Sequence, residues 1–244
     1  MSASDDLTNA LRPVIDMWLA GQVDLPLVQR WSKYDKPNDP HGGVRPQNTL
    51  QHSYSIVLLG TMVMHMMREA NLDLDGELLL TALHLHDHSE GDLKRDTLYI
   101  DKTDEHDLRE YEAFVKRFKD LPSAAFRPFE IAFLLQFAGK NPASFPEHAR
   151  NIMGAMQGLW RNEILAFDFI ERLDYVLYAL EQFCDRGNAR ILVQVLRHQV
   201  PKLDALVAQI PTVRPILWTK PVRNAAVDFL AQHEGQWIEQ PGER

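Results

Sequence analysis

His86 and Asp87 form an adjacent imidazole–carboxylate pair at the end of a leucine-rich stretch of the sequence. If this stretch is helical, Asp87 is turned about 100° from His86 around the helix axis, so both side chains can reach one ion. Glu90 follows His86 by four residues and therefore lies on the same helix face. Imidazole and carboxylate together suit divalent transition metals. The spacing predicts that His86 and Asp87 bind a metal and that Glu90 lies beside it without being a ligand.

Two further residues are candidate ligands, because a dication needs more than two. His52 follows a loop near the start of a predicted helix, where a functional side chain is readily presented. Asp174 lies on the apolar face of a later predicted helix, and a buried carboxylate requires a partner. The metal is one such partner, and Arg172 or Arg161 is the alternative. With His52 and Asp174 the set becomes two histidines and two aspartates, which leaves coordination positions for water and substrate.

Other histidines fit ordinary surface or hydrogen-bonded roles, because a single histidine on a helix is more often a satisfied polar group than a ligand. Two of them, His84 and His88, lie close to the His–Asp pair in sequence and also fit this ordinary role. The residues in this class are His65, His84, His88, His106, His148, His198 and His233.

The order of the four candidate ligands resembles that of the HD-domain metal-dependent phosphohydrolases. That superfamily has a first His, then a His–Asp pair on the next helix, then a distant Asp on a later helix. The present sequence has His52, His86-Asp87 and Asp174 in the same order. The resemblance covers about half of the chain, and it implies a helical fold with a divalent metal bound by these four residues.

Within that superfamily the sequence is most similar to the 5′-nucleotidase-type branch. There an Arg precedes the first His by seven residues, and a Glu follows the His–Asp pair after two. Arg45 and Glu90 match both spacings. The resemblance therefore implies a metal-dependent phosphomonoesterase, with a nucleoside 5′-monophosphate as the expected substrate.

The resemblance also implies a role for each residue around the metal. Arg45 is expected to bind the substrate phosphate bidentately, although it could equally be a surface arginine. Glu90 is expected to orient or deprotonate the attacking water. The branch has a Gly–Asp pair some way after this Glu, whereas Gly91 and Asp92 follow it at once. Asp96 has the better spacing, so we take Asp96 rather than Asp92 as the second catalytic acid.

Hydrophobic periodicity predicts an all-α protein, because spacings typical of strands are nearly absent. A Pro/Gly-rich loop is expected over 35–47 and an irregular excursion over 91–103, after which Asp104 caps a helix to about 118. Pro201 is expected to kink or split the last long helix. The predicted helices are 5–20, 48–70, 77–90, 104–118, 124–138, 147–157, 160–184, 188–209 and 222–233.

The chain is expected to form a single HD-type helical domain over 1–244. Its metal-site core spans about 45–185, and a C-terminal helical extension over 186–244 wraps over the surface. No repeat or linker long enough to separate two domains is present. Crowded methionines over 62–67 suit packing against the core or a partner, and a homodimer is compatible with them.

Composition restricts the class of partner. The formal charge of -8 argues against binding a nucleic acid polymer, while a small phosphate ester bound near a dication is compatible with it. No apolar run approaches the roughly 18 residues of a membrane span, and the N-terminus lacks the features of a secretory signal. The lone Cys184 excludes an intrachain disulfide. A cytoplasmic protein without membrane contact is expected.

Two alternatives to the phosphohydrolase stay open. One is a non-catalytic metal- or nucleotide-binding module, which would not need Glu90 beside the metal. The other is a di-iron oxygenase, for which His88, His106 and His148 lie at unsuitable positions. The sequence contains no GxGxxG, P-loop, GxSxG or HExxH motif. The metal is not specified by the residues, and Mn, Co, Mg, Zn, Ni and Fe all remain candidates.

Overall fold

The computed structural model describes residues 3–34, 43–97, 102–213 and 217–237, and this part of the chain is almost entirely helical. The predicted all-α class is thereby confirmed, while the HD-domain type stays a prediction. The helices, in chain order, are α1 Ala3–Leu19, α2 Thr49–Glu69, α3 Gly76–Leu85, α4 His88–Leu93, α5 Asp104–Phe118, α6 Ser123–Ala138, α7 Glu147–Leu159, α8 Arg161–Arg186, α9 Ala189–Gln209 and α10 Lys220–Gln232.

Two very short strands connect the N-terminal segment to α2. After α1 the chain makes a π-helical turn over Ala20–Asp24 and a 3-10 turn over Leu25–Leu27. Strand β1, Gln29–Arg30, then pairs antiparallel with β2, Gln47–Asn48. Hydrophobic alternation cannot reveal strands of two residues, so the sequence did not predict them. The pairing holds Arg30 close to the first turn of α2.

Side-chain caps fix the start of several helices. Asn48 caps α2 and forms a capping box with Gln51, in agreement with the predicted start of that helix. The predicted cap of α5 was wrong by one residue, because Thr103 rather than Asp104 is the N-cap. The Thr103 hydroxyl accepts from the His106 backbone N–H, and His106 Nδ1 accepts from the Thr103 N–H in return. Asp104 is instead a first-turn residue, where its charge favours the helix dipole.

The helix predicted over 77–90 is divided in two. Helix α3 ends before His86, and α4 begins after Asp87, whose φ of -100° and ψ of 7° are not helical. His86 Nδ1 lies 2.8 Å from the Leu83 carbonyl oxygen and satisfies an acceptor that the interrupted helix leaves free. The break therefore places His86 and Asp87 in a turn, with Glu90 on the next helix.

The last long helix is continuous. Pro201 lies inside α9 without splitting it, and the residue is exposed, so its ring meets solvent rather than the core. Gly187, with a φ of 68°, ends α8, and the Asn188 side chain caps α9 by accepting from the Ile191 N–H at 3.2 Å. Helices α8 and α9 thus form a hairpin near the predicted boundaries of 160–184 and 188–209.

Helix α8 lies at the centre of the molecule and packs against α2, α3, α6, α7 and α9. Phe169 and Ile170 of α8 are fully buried, as is Leu203 of α9. Burial of such a side chain contributes about 1.5–3 kcal/mol, so this contact region is a main source of stability. A polar side chain on the inner face of α8 therefore has little freedom to move, because the helix that carries it is packed on several sides.

The C-terminal segment over 186–244 has two different parts in the described residues. Helix α9 contributes buried side chains to the core, whereas α10 has none and lies on the surface. The Phe229 ring of α10 contacts the Phe183 ring of α8 at a centroid distance of 5.1 Å. Residues 214–216 and 238–244 lie outside the described part of the chain.

Two predicted irregular segments are only partly covered by the structure. Of the loop predicted over 35–47, residues 43–46 are irregular and the last residue begins β2, while 35–42 lie outside the described residues. Helix α4 extends into the excursion predicted over 91–103, and 98–101 lie outside the described residues.

No helix in the described ranges combines the length and the apolar content needed to cross a bilayer. Helices α2, α8 and α9 are long enough, with 21, 26 and 21 residues, but none of the three is sufficiently apolar.

Gly91 in α4 allows this helix to pack closely against the turn that contains Asp24. A Cβ on Gly91 would lie 2.9 Å from Asp24 Cβ, an atom that cannot move without its backbone. We expect Gly91→Ala to lower the free energy of unfolding by about 1–3 kcal/mol, measured by urea denaturation. The matched control is Gly158→Ala in α7, where a Cβ meets no atom within 4 Å, and a gain of about 0.5 kcal/mol is expected. Equal effects at the two sites would contradict this account.

Candidate metal centre

Four electron-pair acceptors converge in the interior, contributed by α2, the turn between α3 and α4, and α8. His52 Nε2 lies 3.2 Å from His86 Nε2. Asp87 Oδ2 lies 3.3 Å from His52 Nε2 and 3.1 Å from His86 Nε2. Glu171 Oε1 lies 2.9 Å from His86 Nε2 and 3.7 Å from His52 Nε2. We call these four residues the acceptor cluster; His52, His86 and Glu171 form a group that could hold a metal ion.

The other nitrogen of each imidazole shows how the rings are protonated. His86 Nδ1 faces the Leu83 carbonyl oxygen, which can only accept a hydrogen bond. His52 Nδ1 lies 3.0 Å from Asp174 Oδ2, a carboxylate that also accepts. Both Nδ1 atoms therefore carry a proton, and in the neutral rings both Nε2 atoms present lone pairs to the centre of the cluster.

Either a proton or a metal ion at the centre can satisfy these acceptors. Burial disfavours a charged ring, yet Asp87 and Glu171 outweigh it and raise the pKa of His86 well above 6.5. Burial and Arg30 oppose charge on His52, but Asp174 raises its pKa as well. Two imidazolium rings would bring like charges within 3.2 Å of each other. A dication satisfies all four acceptors at once, so the donor set fits a divalent metal.

Each candidate ligand is oriented by a partner outside the cluster. Tyr175 donates its hydroxyl to Glu171 Oε2 at 2.7 Å, which leaves Oε1 for the histidines. Asp174 orients His52, and the Leu83 carbonyl orients His86. Partners of this kind fix the tautomer and direction of ligands at metal sites.

The structure places Asp174 behind His52 rather than in the cluster. Glu171, one helical turn earlier on α8, supplies the carboxylate that faces both Nε2 atoms. The geometry thus favours Glu171 as the ligand and Asp174 as the residue that orients His52. Sequence reasoning missed Glu171, although it lies three residues before Asp174 and so on the same helix face.

Arg30 is a second residue that the sequence did not indicate. Its buried guanidinium donates from Nη1 to Asp87 Oδ2 at 2.5 Å and lies 4.0 Å from Glu90 Oε2. Burial would raise the pKa of Asp87, but His86 and Arg30 hold it far below its ordinary value. Asp87 is therefore anionic, as a metal ligand must be.

Trp31 keeps Arg30 in place by an unusual backbone conformation. Its φ of 62° lies in the left-handed region, which a bulky residue rarely adopts. The indole stacks on Tyr178 at 4.6 Å and meets Tyr175 edge-on at 5.9 Å, and its Nε1–H donates to Gln47 at 3.1 Å. These contacts compensate the backbone strain and hold the preceding arginine against Asp87.

Glu90 lies beside the cluster, with its Oε2 4.0 Å from Arg30 Nη1, the atom that also binds Asp87. The buried Oε2 accepts from the Thr49 hydroxyl at 2.9 Å. Burial and the carboxylates of Asp87 and Asp96 raise the pKa of Glu90 well above its ordinary value. Asp96 is near enough for its charge to act on both Glu90 and Arg30.

The two candidates for the second acid differ clearly in their surroundings. The Asp92 carboxylate accepts from Arg117 Nε at 2.6 Å and forms a salt bridge with it. The charge of Asp96 instead acts on Glu90, and the choice of Asp96 over Asp92 as the second acid stays a prediction.

Arg45 is not brought to the cluster. Its half-exposed guanidinium lies 2.7 Å from Glu181 Oε1 and also pairs with Asp185. It lines a cavity with Tyr54 and Tyr178 that contains none of the four cluster residues. The geometry therefore does not support the predicted phosphate-binding role, because two carboxylates already neutralise this cation.

The cluster opens into a cavity of about 270 Å³, which we call the inner cavity. His86, Asp87, Glu171 and Lys102 are among the residues that line it. Lys102 Nζ lies 3.0 Å from Glu110 Oε2, and its charge also acts on Asp87. An anion that enters the inner cavity thus meets both the cluster and the partly buried ammonium group of Lys102.

The histidines outside the cluster have other partners. Burial and neighbouring His84 lower the pKa of His88 to about 3, so this buried ring is neutral. His148 Nε2 lies 2.8 Å from the Tyr111 hydroxyl, and His106 belongs to the α5 capping box.

Substitution separates a ligand from an orienting residue. Asn at position 174 still accepts from His52 Nδ1, so we expect Asp174→Asn to weaken Mn²⁺ or Zn²⁺ binding by no more than about tenfold. Glu171→Gln removes a charged ligand, and we expect a loss of at least about 100-fold. Calorimetric titration of metal into each variant measures both effects. A larger loss in Asp174→Asn than in Glu171→Gln would restore Asp174 as the ligand.

Metal binding should release protons. Because the pKa values of His52 and His86 are raised above 6.5, protons held by the rings near neutrality must leave before Nε2 can coordinate. We expect the apparent affinity to increase from about pH 6 to pH 8. Titration in two buffers of different ionisation enthalpy measures the release, and identical heats in both buffers would refute it.

Comparison with known proteins assigns no family to this geometry. No family model, no curated protein and no solved structure matches the chain. The resemblance to the HD-domain phosphohydrolases stays a prediction from the motif, and the function has to be argued from the side chains around the cluster.

Proposed function

We propose that the protein is a metal-dependent phosphohydrolase that cleaves a phosphate monoester, with nucleoside 5′-monophosphates as the first substrates to test. The observation that carries the proposal is the convergence of four buried acceptor atoms at the wall of an inner cavity that also contains Lys102. A phosphoryl group suits this setting because it is anionic and needs positive charge on several oxygens.

The metal would be held by His52, His86, Asp87 and Glu171. Two imidazoles and two carboxylates favour Mn, Fe, Co, Ni or Zn over Mg, which prefers oxygen ligands alone. A dication there supplies an activated water and polarises a phosphoryl oxygen. Arg30 keeps Asp87 anionic and fixes its direction through the 2.5 Å hydrogen bond.

Glu90 is proposed to move the proton. Its raised pKa means that the carboxyl holds a proton more readily than an ordinary glutamate does, which suits a group that takes part in acid–base catalysis. Thr49 fixes Oε2 through its hydroxyl, so the carboxyl has a defined orientation. Asp96 contributes negative charge that keeps this pKa high and is the candidate for holding the leaving hydroxyl. Lys102 offers positive charge to the phosphate.

The alternative function is a metal- or nucleotide-binding module without turnover. Such a module would use the same four ligands but would have no need of a protonatable carboxyl beside them. The buried Glu90 with its raised pKa favours the enzyme, since burying a carboxyl costs stability that a simple binder need not lose.

A phosphatase screen over nucleoside monophosphates with Mn²⁺, Co²⁺, Zn²⁺, Ni²⁺ and Mg²⁺ tests the proposal. We expect turnover by the native chain and a loss in kcat of about 10²- to 10⁴-fold in Glu90→Gln, with metal content unchanged. The matched control is Glu130→Gln, because Glu130 is also buried but accepts only from outside the cluster, from the Tyr111 hydroxyl at 2.7 Å.

The results separate the two candidate functions. Metal and nucleotide binding without turnover by the native chain would establish the binding module. Turnover that persists unchanged in Glu90→Gln would remove Glu90 from the mechanism and leave the phosphohydrolase intact.

A further inference from the structure

The break between α3 and α4 leaves one backbone carbonyl without its helical donor. In an uninterrupted α-helix the His86 carbonyl oxygen would accept from the Glu90 N–H, four residues further on. Here the Glu90 N–H donates to the Asp87 carbonyl oxygen at 3.0 Å instead. His86 is buried, so its carbonyl oxygen needs another donor, because an unpaired backbone group in the interior is costly.

A side chain of the neighbouring helix α6 supplies that donor. Gln136 Nε2 donates to the His86 carbonyl oxygen at 3.1 Å and to the carbonyl oxygen of Phe133, one turn earlier on α6, at 3.2 Å. Both amide hydrogens are therefore used on backbone carbonyls, which fixes the direction of the amide. Helix α6 packs directly against α3, and Phe133 is fully buried, so the donor is held on a rigid base.

The carbonyl that Gln136 holds belongs to the peptide group between two candidate metal ligands. A peptide group is planar, so its orientation sets ψ of His86 and φ of Asp87 together. These angles are -37° and -100°. They determine the directions in which the two side chains leave the backbone, and Asp87 Oδ2 comes to lie 3.1 Å from His86 Nε2. A hydrogen bond to this peptide group therefore acts on both ligands at once.

The other partners of these two ligands act on the side chains and not on the peptide group. The Leu83 carbonyl oxygen orients the His86 ring, and the Arg30 guanidinium holds the Asp87 carboxylate. Within the described ranges Gln136 is the donor to the His86 carbonyl oxygen, and no backbone N–H takes its place. The peptide group thus depends on a residue 50 positions further along the chain.

We propose that Gln136 is a positioning residue of the metal centre, which holds the peptide group between His86 and Asp87 so that both ligands face one ion. Without the amide this peptide group can rotate, and part of the free energy of metal binding is then used to restore the arrangement of the ligands. The inference rests on the metal centre of the proposed function, but it does not depend on turnover and can be tested by metal binding alone.

Calorimetric titration of Zn²⁺ or Mn²⁺ into Gln136→Met tests the proposal, because Met is similar in length but has no donor. We expect the Kd to rise about 10- to 100-fold relative to the native chain. Gln136→Asn is a second variant, since it keeps the amide but is one methylene too short for the same hydrogen bond, and we expect a similar rise. The visible spectrum of bound Co²⁺ reports the ligand geometry, and its bands should change in both variants.

The matched control is Gln157→Met in α7. The Gln157 amide donates to the carbonyl oxygen of Ala138, the last residue of α6, at 2.7 Å, so this variant also removes a side-chain donor from a backbone carbonyl, but not from one next to a candidate ligand. Urea denaturation should show similar losses of stability in Gln157→Met and Gln136→Met. The Kd and the Co²⁺ spectrum of the control should stay native.

The outcomes separate this inference from the proposed reaction. A native Kd and a native Co²⁺ spectrum in both Gln136 variants, or an equal rise in Kd in the control, would overturn the positioning role. A native chain that binds metal but shows no turnover, together with a weakened Gln136→Met, would instead remove the phosphohydrolase and leave the positioning role established.

Discussion

Mutual repulsion among four buried electron-pair acceptors is the constraint on which the rest of this structure depends. The two Nε2 atoms of His52 and His86 face each other at 3.2 Å, with the carboxylates of Asp87 and Glu171 beside them. In a low-dielectric interior this arrangement is strongly unfavourable without a cation. The fold nevertheless provides partners that direct these lone pairs inward, which is expected of a site built to hold a charged species.

Several irregular features of the fold are explained by that constraint. The break between α3 and α4 lets Asp87 turn toward the histidines and leaves Glu90 on a separate helix. The left-handed backbone at Trp31 keeps Arg30 against Asp87. The central position of α8 gives Glu171 a rigid base, and this rigidity limits how far the ligands can move apart when no ion is bound.

The sequence predicts most of the helices because long amphipathic periods are local signals, and it predicts the His–Asp pair because adjacency brings His86 and Asp87 together. It cannot tell Glu171 from Asp174, since both lie on one helix face and only the packing of α8 decides which carboxylate reaches Nε2. It cannot predict that Arg30 contacts Asp87, because the position of Arg30 depends on the pairing of two strands of only two residues each. Nor can it reveal that Arg45 pairs with Glu181 and Asp185, because these acidic partners lie far along the chain.

An aromatic group beside α8 lies between the acceptor cluster and a tryptophan. Tyr175 donates to the outer oxygen of Glu171 and also contacts the Trp31 indole edge-on. Trp31 in turn stacks on Tyr178, so any displacement of the carboxylate is transmitted to the local field at a buried tryptophan. Because indole emission depends on the local electric field, we expect Trp31 to report on the charge state of Glu171, a group with which it makes contact only through Tyr175.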